Sequence, residues 1–317
     1  MLIDVPESAD RRHAPSEDLG FCESLGFRLV QPGKPGELIG LMVRFNLRPN
    51  QSVMDVGIDV LLEDGGLLAA RHVDSMEAPD AALDIQGAAL SREGDLWRLN
   101  YDGPAHALDS CRNADDHEFW HKSRLERLIV ELEFLPDADG VQLETRPETL
   151  GALVQARGEV WVSGDEYQIA GPALRDRHWG SAGIPRARRR LDVCFAEGRA
   201  LSLERLWTAE GPHLSGWLRI EGETREIVSG RIETEPEADK PYPKAMALSL
   251  VDSSRERHRL TAKVLHTAPL VGSTNNLSYM SCQSLTAFSW DDLEAYGFAE
   301  YLHTLDENGD PLIPTDV

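Results

Sequence analysis

Basic residues are scarce in this chain. Its 317 residues hold 32 Lys and Arg against 54 Asp and Glu, a formal net charge of −22. Nucleic acids and anionic membrane surfaces select clustered Lys and Arg, so neither is an expected partner. The one basic cluster, Arg186-Ala-Arg-Arg-Arg190, is short. It reads as a solvated loop or strand start, with a small anion site as the other reading. Cysteine is also rare. Cys22, Cys111, Cys194 and Cys282 are scattered and form no Cys-x-x-Cys pair. Such usage fits reduced, buried thiols in a cytoplasmic protein. No apolar run approaches the roughly 20 residues that a membrane helix needs. The start, Met-Leu-Ile-Asp-Val-Pro-Glu-Ser, has neither the basic nor the apolar segment of a signal peptide. The expectation is a soluble, cytoplasmic protein. Nucleophile-elbow, P-loop, dinucleotide-binding and EF-hand patterns are all missing, so no cofactor is expected.

Turning to what is present, 41% of residues are hydrophobic, enough for a sizeable core. The length suggests two domains or one large β domain. Residues 1–20 are polar and rich in Pro, Asp and Arg, a surface arm. From Phe21 onward short strands recur about every ten residues. Leu38 to Leu47 reads as a strand with one buried face, and Val53 to Leu62 alternates well. Asp64-Gly65-Gly66 is a hairpin turn and Leu67 to His72 returns. Gln86 to Leu90, Leu96 to Tyr101 and Leu128 to Leu135 continue the pattern. Cys111 to Arg127 breaks it and has room for one short helix. Residues 140–150 carry no strong pattern, so the domain boundary is expected near 150. Leu153 to Val162 and Tyr167 to Gly171 follow. Beyond them strands are expected at Arg190 to Phe195, Ala200 to Trp207, Leu214 to Ile220, Glu226 to Ile232, Ala245 to Val251, His258 to His266, Tyr279 to Ser289 and Tyr296 to His303. Many short strands and no long helix predict an all-β protein of sandwiches or barrels.

One stretch stands apart. Tyr167 to Gly180 begins as a strand and ends in Arg175-Asp176-Arg177-His178-Trp179, bracketed by Gly171 and Gly180. A solvated charge run would need neither the Trp nor the glycines. Through these residues the chain resembles bacterial tandem lipocalin-like proteins whose second half carries Gly-x-Gly-x-Arg-Asp-His-Ser-Trp-Gly. Two shorter stretches agree. Ala295-Tyr296-Gly297-Phe298-Ala299-Glu300-Tyr301 is similar to the closing strand of those proteins, and Cys22-Glu23-Ser24 to their Asn-Glu-Ser. His13 followed by Pro15 also fits their N-terminal arm. Ala173 replaces the second motif glycine. His178 sits one place later than the family imidazole, which on a strand reverses its face and puts Arg177 at the imidazole position. More distantly the chain is similar to carotenoid 1,2-hydratases, fungal hydratases of prenylated phenolics and some pericyclase-type cyclases. The resemblance implies two lipocalin-like β-barrels packed together, residues 21–150 and 151–317. It also implies a pocket for an apolar terpenoid, steroid or polyketide-like molecule.

Hydrating or isomerising an alkene needs a strong proton donor in a dry pocket, and a buried carboxylic acid can supply it. Asp176 is the first candidate. The other reading of Asp176 is an Arg–Asp ion pair pinning the joint between the barrels. Glu300 and Glu23 follow, each alternatively a buried carboxylate bonded to backbone or arginine. Tyr296 and Tyr301 offer phenols for proton donation or orientation, or are core aromatics with one wet end. Trp179, Trp207 and Trp217 offer π faces to a cation, or simply pack; Arg175 and His178 complete the expected ligand contacts. His117-Glu-Phe-Trp-His121 matches His-Glu-x-x-His formally, but its flanks are charged and no third ligand is evident, so no metal is expected. The leading expectation is a cofactor-independent hydratase, isomerase or cyclase with an apolar small-molecule substrate. A non-catalytic carrier of the same kind of ligand is the alternative, and a homodimer is the assembly considered.

Overall fold

The computed structural model describes residues 12–34, 36–76, 82–137, 142–146, 148–181, 185–208, 210–238, 240–274 and 277–312; most of the expected arm, 1–11, lies outside them. The chain forms two compact units. The first runs through Ser181 without residues 110–119; the second takes 110–119 and everything from Pro185.

The first unit is one antiparallel sheet. Its strands are β1 (Phe21–Gln31), β2 (Ile39–Arg48), β3 (Val53–Leu62), β4 (Leu67–Ser75), β5 (Leu83–Ile85), β6 (Ala88–Glu93), β7 (Leu96–Leu108), β8 (Arg124–Pro136), β9 (Gln142–Arg146), β10 (Thr149–Val162) and β11 (Asp165–Ser181). The order across the sheet is β4-β3-β2-β1-β11-β10-β8-β7-β6-β5, with β9 also on β10. Leu67, Leu68 and Ala69 of β4 pair with Leu108, Ala107 and His106 of β7 and return the sheet on itself. Closure of this kind removes the unpaired edges that an open sheet would leave.

The second unit is a closed barrel in which each strand pairs with the next. It comprises β12 (Ala187–Cys194), β13 (Ala200–Thr208), β14 (Gly211–Ile220), β15 (Glu223–Pro236), β16 (Pro243–Asp252), β17 (Arg257–Thr274), β18 (Leu277–Trp290) and β19 (Leu293–Thr304). β12 and β19 close it. The segment 110–119 belongs here because Cys111 Sγ donates to the Thr267 carbonyl at 3.3 Å. The short helix α1 is His117–Lys122.

The all-β class is as the strand rhythm predicts, and the tandem-barrel architecture is as the family resemblance implies. The expected boundary is not where the units divide. Residue 150 lies inside β10, which pairs with both β8 and β11 of the first sheet. Strand rhythm is alike in both units, so periodicity alone carries no sign of where one sheet ends. A smaller shift concerns Gln86 and Gly87. Both have positive φ, 48° and 92°, and form the turn between β5 and β6 rather than the start of a strand. The expected Asp64-Gly65-Gly66 hairpin is present: Leu62 N–H bonds to Gly66 O at 3.0 Å, and Asp64 Oδ1 accepts from Gly66 N–H at 2.8 Å.

Alternation decides what each barrel encloses, because successive strand residues face opposite sides. In β1 the odd residues Leu25, Phe27 and Leu29 join the first core; in β11 so do Ile169 and Ala173. Phe27 stacks on Phe134 at 4.1 Å and meets Trp97 edge-on at 6.2 Å. Burying each such ring contributes about 1.5–3 kcal/mol. In the second barrel Leu191, Leu203, Leu218, Leu248, Phe288, Ala299 and Tyr301 belong to the core. Phe195 packs edge-on to Trp290 at 5.8 Å.

Candidate functional site

Parity divides the central motif. Arg175, Arg177 and Trp179 share the odd, core-facing side of β11 with Ala173 and Ile169, whereas Asp176 and His178 share the other side. Glu23, two residues before Leu25, faces the same core side of β1. The register places Glu23 opposite Trp179 and Leu25 opposite Arg177. Glu23 and Arg177 are therefore diagonal neighbours on the inner face, within reach of long side chains.

They form a buried ion pair. Arg177 Nε and Nη2 donate to Glu23 Oε1 at 3.0 and 2.5 Å, and both side chains are almost fully buried. His13 completes the group. Its Nδ1 lies 2.9 Å from Glu23 Oε1, and its backbone N–H reaches Oε1 at 3.3 Å. The His13 ring stacks on Trp179, with centroids 4.0 Å apart and planes 7° from parallel. Such stacking adds about 0.5–1.5 kcal/mol beyond area burial. Backbone bonds fix the described end of the arm: Asn50 Nδ2 donates to Ser16 O at 2.7 Å and Asp18 O at 2.6 Å, and Gln51 Nε2 to Leu19 O at 2.9 Å. Deeper along the same face, the Arg175 guanidinium lies 5.7 Å from the Trp97 ring centre. This end of the barrel interior thus carries a carboxylate, two guanidiniums, an imidazole and two indoles beside an apolar core.

The remaining motif residues act on the outer face. Asp176 Oδ2 accepts from Arg44 Nη2 at 3.2 Å. Asp176 is therefore ion-paired with Arg44 of β2, and both flanking arginines alternate onto the opposite face. Gly26 stands opposite Asp176 in the register, and a Cβ there would come within 2.8 Å of Asp176 Oδ1. His178 Nδ1 contacts Glu148 O at 3.0 Å and Thr149 Oγ1 at 3.2 Å, so it fastens β11 to the start of β10. Cys22, also outward, has its thiol pushed up to about 11 by burial, with the nearby Asp55 and Glu23 adding to the effect against Arg48 and Arg44. A thiol so protonated is a poor nucleophile.

The other expected residues belong to the second barrel. Glu300 alternates with the core residues Ala299 and Tyr301, so it faces away from the barrel core. It accepts from Arg188 Nη2 at 2.6 Å and Ser281 Oγ at 3.0 Å. Tyr296 shares that outward parity and is 41% exposed, which places its phenol in solvent rather than in an interior. Trp217 is buried but also outward, since Leu218 is its core-facing neighbour. Trp207 and Tyr301 do face inward. The Arg189 guanidinium lies 5.0 Å from each of their ring centres, and Arg205 lies 5.0 Å from Trp207 on its own strand. Tyr301 OH bonds Thr234 Oγ1 at 2.9 Å.

His117 and His121 are exposed on a six-residue helix. Among the described residues Asp252, Glu256 and His258 bring possible metal-ligand atoms within 4.8 Å of one another. Arg225 already occupies that corner: its Nη1 donates to Asp252 Oδ2 at 3.2 Å and Glu256 Oε2 at 2.6 Å. Burial alone would raise the Asp252 pKa. Hydrogen bonds from Ser254, His258, Arg225 and the Glu256 backbone more than reverse this and hold it far below the ordinary carboxylate range. The cluster is a charged clamp on the β16–β17 turn.

Comparison with known proteins agrees with this architecture. A family described as a domain of unknown function, DUF7064, matches residues 6–305. The chain belongs to the DUF7064 family. Among curated proteins none matches the chain by sequence. Solved structures similar in fold include the following three. An AttH-like protein of Nitrosomonas europaea shares 13% identity at a TM-score of 0.64, covering 89% of this chain and 92% of its own. Kievitone hydratase of Nectria haematococca shares 12% at 0.57, covering 90% and 89%. CghA with Sch210972 shares 9% at 0.57, again covering 90% and 89%. At such identities the likeness is one of fold.

The alternation that sorts the site was readable in advance. Arg175, Arg177 and Trp179 occupy every second position of one strand, which puts them on one face. Asp176, the leading acid on residue chemistry alone, falls on the opposite face by the same alternation. Arg44 and Trp97 carry no local signal, because they reach the site through strand pairing. Arg189 belongs to the basic cluster, whose residues 188–190 form part of β12 with side chains largely buried rather than a solvated loop.

Proposed function

We propose that this DUF7064 protein holds an apolar small molecule in the first barrel and acts on it by cofactor-independent proton chemistry, as a hydratase, isomerase or cyclase. Terpenoid, steroid and polyketide-like compounds are the ligand classes considered. The observation that carries the reading is the inward-facing Glu23–Arg177 pair with His13 and Trp179 at the end of an apolar interior. Polar groups that converge beside apolar walls fix a ligand's orientation and can serve its chemistry. The fold likeness to kievitone hydratase and CghA supports the reading, since one protein is named as a hydratase and the other was crystallised with a small molecule. In this reading Glu23, Arg175, Arg177 and Trp179 line the ligand end. Asp176 and Glu300 stabilise the fold from outward faces, and Tyr296 presents its phenol to solvent.

A carrier is the second reading, and one observation favours it. Each carboxylate considered as an acid is paired with an arginine: Asp176 with Arg44, Glu23 with Arg177, Glu300 with Arg188. Such pairing suits a structural or orienting role for each carboxylate. Mass spectrometry of organic extracts from purified protein tests both. A co-purifying apolar compound that the protein converts supports the enzyme. One that binds unchanged supports the carrier. An extract holding no apolar compound, from protein that also fails to bind added terpenoid, steroid and polyketide probes, refutes both.

A further inference from the structure

We infer that His13 is the catalytic acid–base of the first barrel, and that the substrate is therefore an apolar molecule bearing a carbonyl or phenolic oxygen rather than a pure hydrocarbon. The inference rests on the proposed ligand end of that barrel. The paired carboxylates leave the proton donor unassigned, and His13 has the geometry for the task.

Nδ1 of His13 faces Glu23 Oε1 at 2.9 Å, and Glu23 is locked by two bonds from Arg177. A carboxylate in this position accepts from Nδ1–H, which fixes the tautomer and leaves Nε2 to exchange protons. Carboxylate-oriented imidazoles use this division of labour in nucleophilic catalysis, where the carboxylate orients and the far nitrogen acts. The Trp179 indole, 4.0 Å away and nearly parallel, prevents the ring from rotating. Among the described residues Nε2 has no hydrogen-bond partner. The His13 side chain is 22% exposed while Glu23 is 6% exposed, so the orienting group is sealed and the acting group is accessible. The bonds from Asn50 and Gln51 anchor the arm backbone at Ser16, Asp18 and Leu19, shortly after His13.

The chemistry limits the substrate. Proton-transfer efficiency follows the match of acidities, and an imidazolium is far too weak to protonate an isolated alkene carbon. It can lend a proton to an oxygen that gains charge during reaction. For water addition to an α,β-unsaturated ketone, Nε2–H gives its proton to the carbonyl oxygen as water oxygen bonds to the β-carbon. The added water loses one proton to the neutral imidazole. The enol then takes a proton from solvent at the α-carbon and releases the one on oxygen. The sum is one water added across the double bond, with His13 unchanged.

The test uses full-length protein with three apolar enones, chalcone, β-ionone and progesterone, in deuterated water. Binding is read by tryptophan fluorescence, and hydration or α-deuteration by mass spectrometry. The wild type is expected to bind and convert at least one. His13→Gln should lower turnover by about 100-fold or more while binding changes less than about threefold. Nitrogen-15 NMR should show His13 as the Nδ1–H tautomer in the wild type and lose that signature in Glu23→Gln, a readout independent of turnover. Conversion that survives His13→Gln overturns the assignment of His13 but leaves the proposed function standing. Binding without conversion overturns the inference and establishes the carrier. Failure to bind any of the three overturns the oxygen-bearing substrate class, and an Nε2–H tautomer overturns the orienting role of Glu23.

Discussion

Each unit carries a Glu–Arg pair where its first and last strands meet, and the two pairs face opposite ways. Glu23 of β1 meets Arg177 of β11 on the core side of the first barrel. Glu300 of β19 meets Arg188 of β12 on the side away from the second core. Chemically the pairs are alike, but their parity differs by one residue. The inward pair holds an imidazole and an indole and borders the apolar core of the first barrel. The outward pair adds a hydroxyl, that of Ser281. Pairing type therefore says little about role, while strand face says a good deal.

Mutations can break this contrast, and the largest effect should come from the inward pair. Arg177→Met should cost about 3–5 kcal/mol, because it leaves Glu23 charged and buried without its partner. Chemical denaturation checks the loss. The double change Glu23→Gln with Arg177→Met should recover part of it, as removing both charges relieves the unpaired one. Glu300→Gln should destabilise the second unit while leaving ligand binding by the first unchanged. Equal loss of binding in Glu300→Gln and Glu23→Gln would erase the distinction between the pairs.

Gly26→Ala sharpens the contrast on the outer face of the first barrel. The new methyl would press on Asp176 Oδ1 and disturb the Asp176–Arg44 pair, at an expected cost of about 1–3 kcal/mol. Thermal melting should fall while the His13 tautomer signal stays unchanged. Acid should also act unequally. His303 in the second barrel has its pKa lowered by burial, with Arg189 lowering it further against the raising effect of its backbone bonds to Pro241 and Leu312. A depressed histidine stabilises the fold fully above its unfolded pKa of about 6.5, and that contribution is lost as pH falls through the folded value. Asp252 is depressed too, so its contribution is full above about 3.9 and is lost at still lower pH. The second barrel should thus weaken in two steps on acidification. His303→Gln should remove the upper step and Asp252→Asn the lower, as read by denaturant midpoints across pH. Tyr296→Phe, at an exposed outward position, should change stability by less than about 0.5 kcal/mol.

Much of the fold was legible in the sequence. Eight expected strands from Arg190 onward overlap β12 to β19, because alternation and turn residues are local signals. The domain division was not, since β10 and β11 reveal which sheet they join only through partners far away in the chain. The candidate site was legible in part. Glu23, Arg175 and Trp179 were singled out and lie together, with Arg177 noted at the family's imidazole position. His13 was noted only as part of an arm. Its role depends on a 10-residue return to Glu23 and a stack on Trp179, contacts that no spacing rule announces.

The most direct measurement of the account is nitrogen-15 NMR of His13 in the wild type and in Glu23→Gln, with a bound enone added. The expected result is an Nδ1–H tautomer that depends on Glu23, with the Nε2 resonance shifting on ligand addition. An Nε2–H tautomer indifferent to both Glu23 and ligand would contradict it.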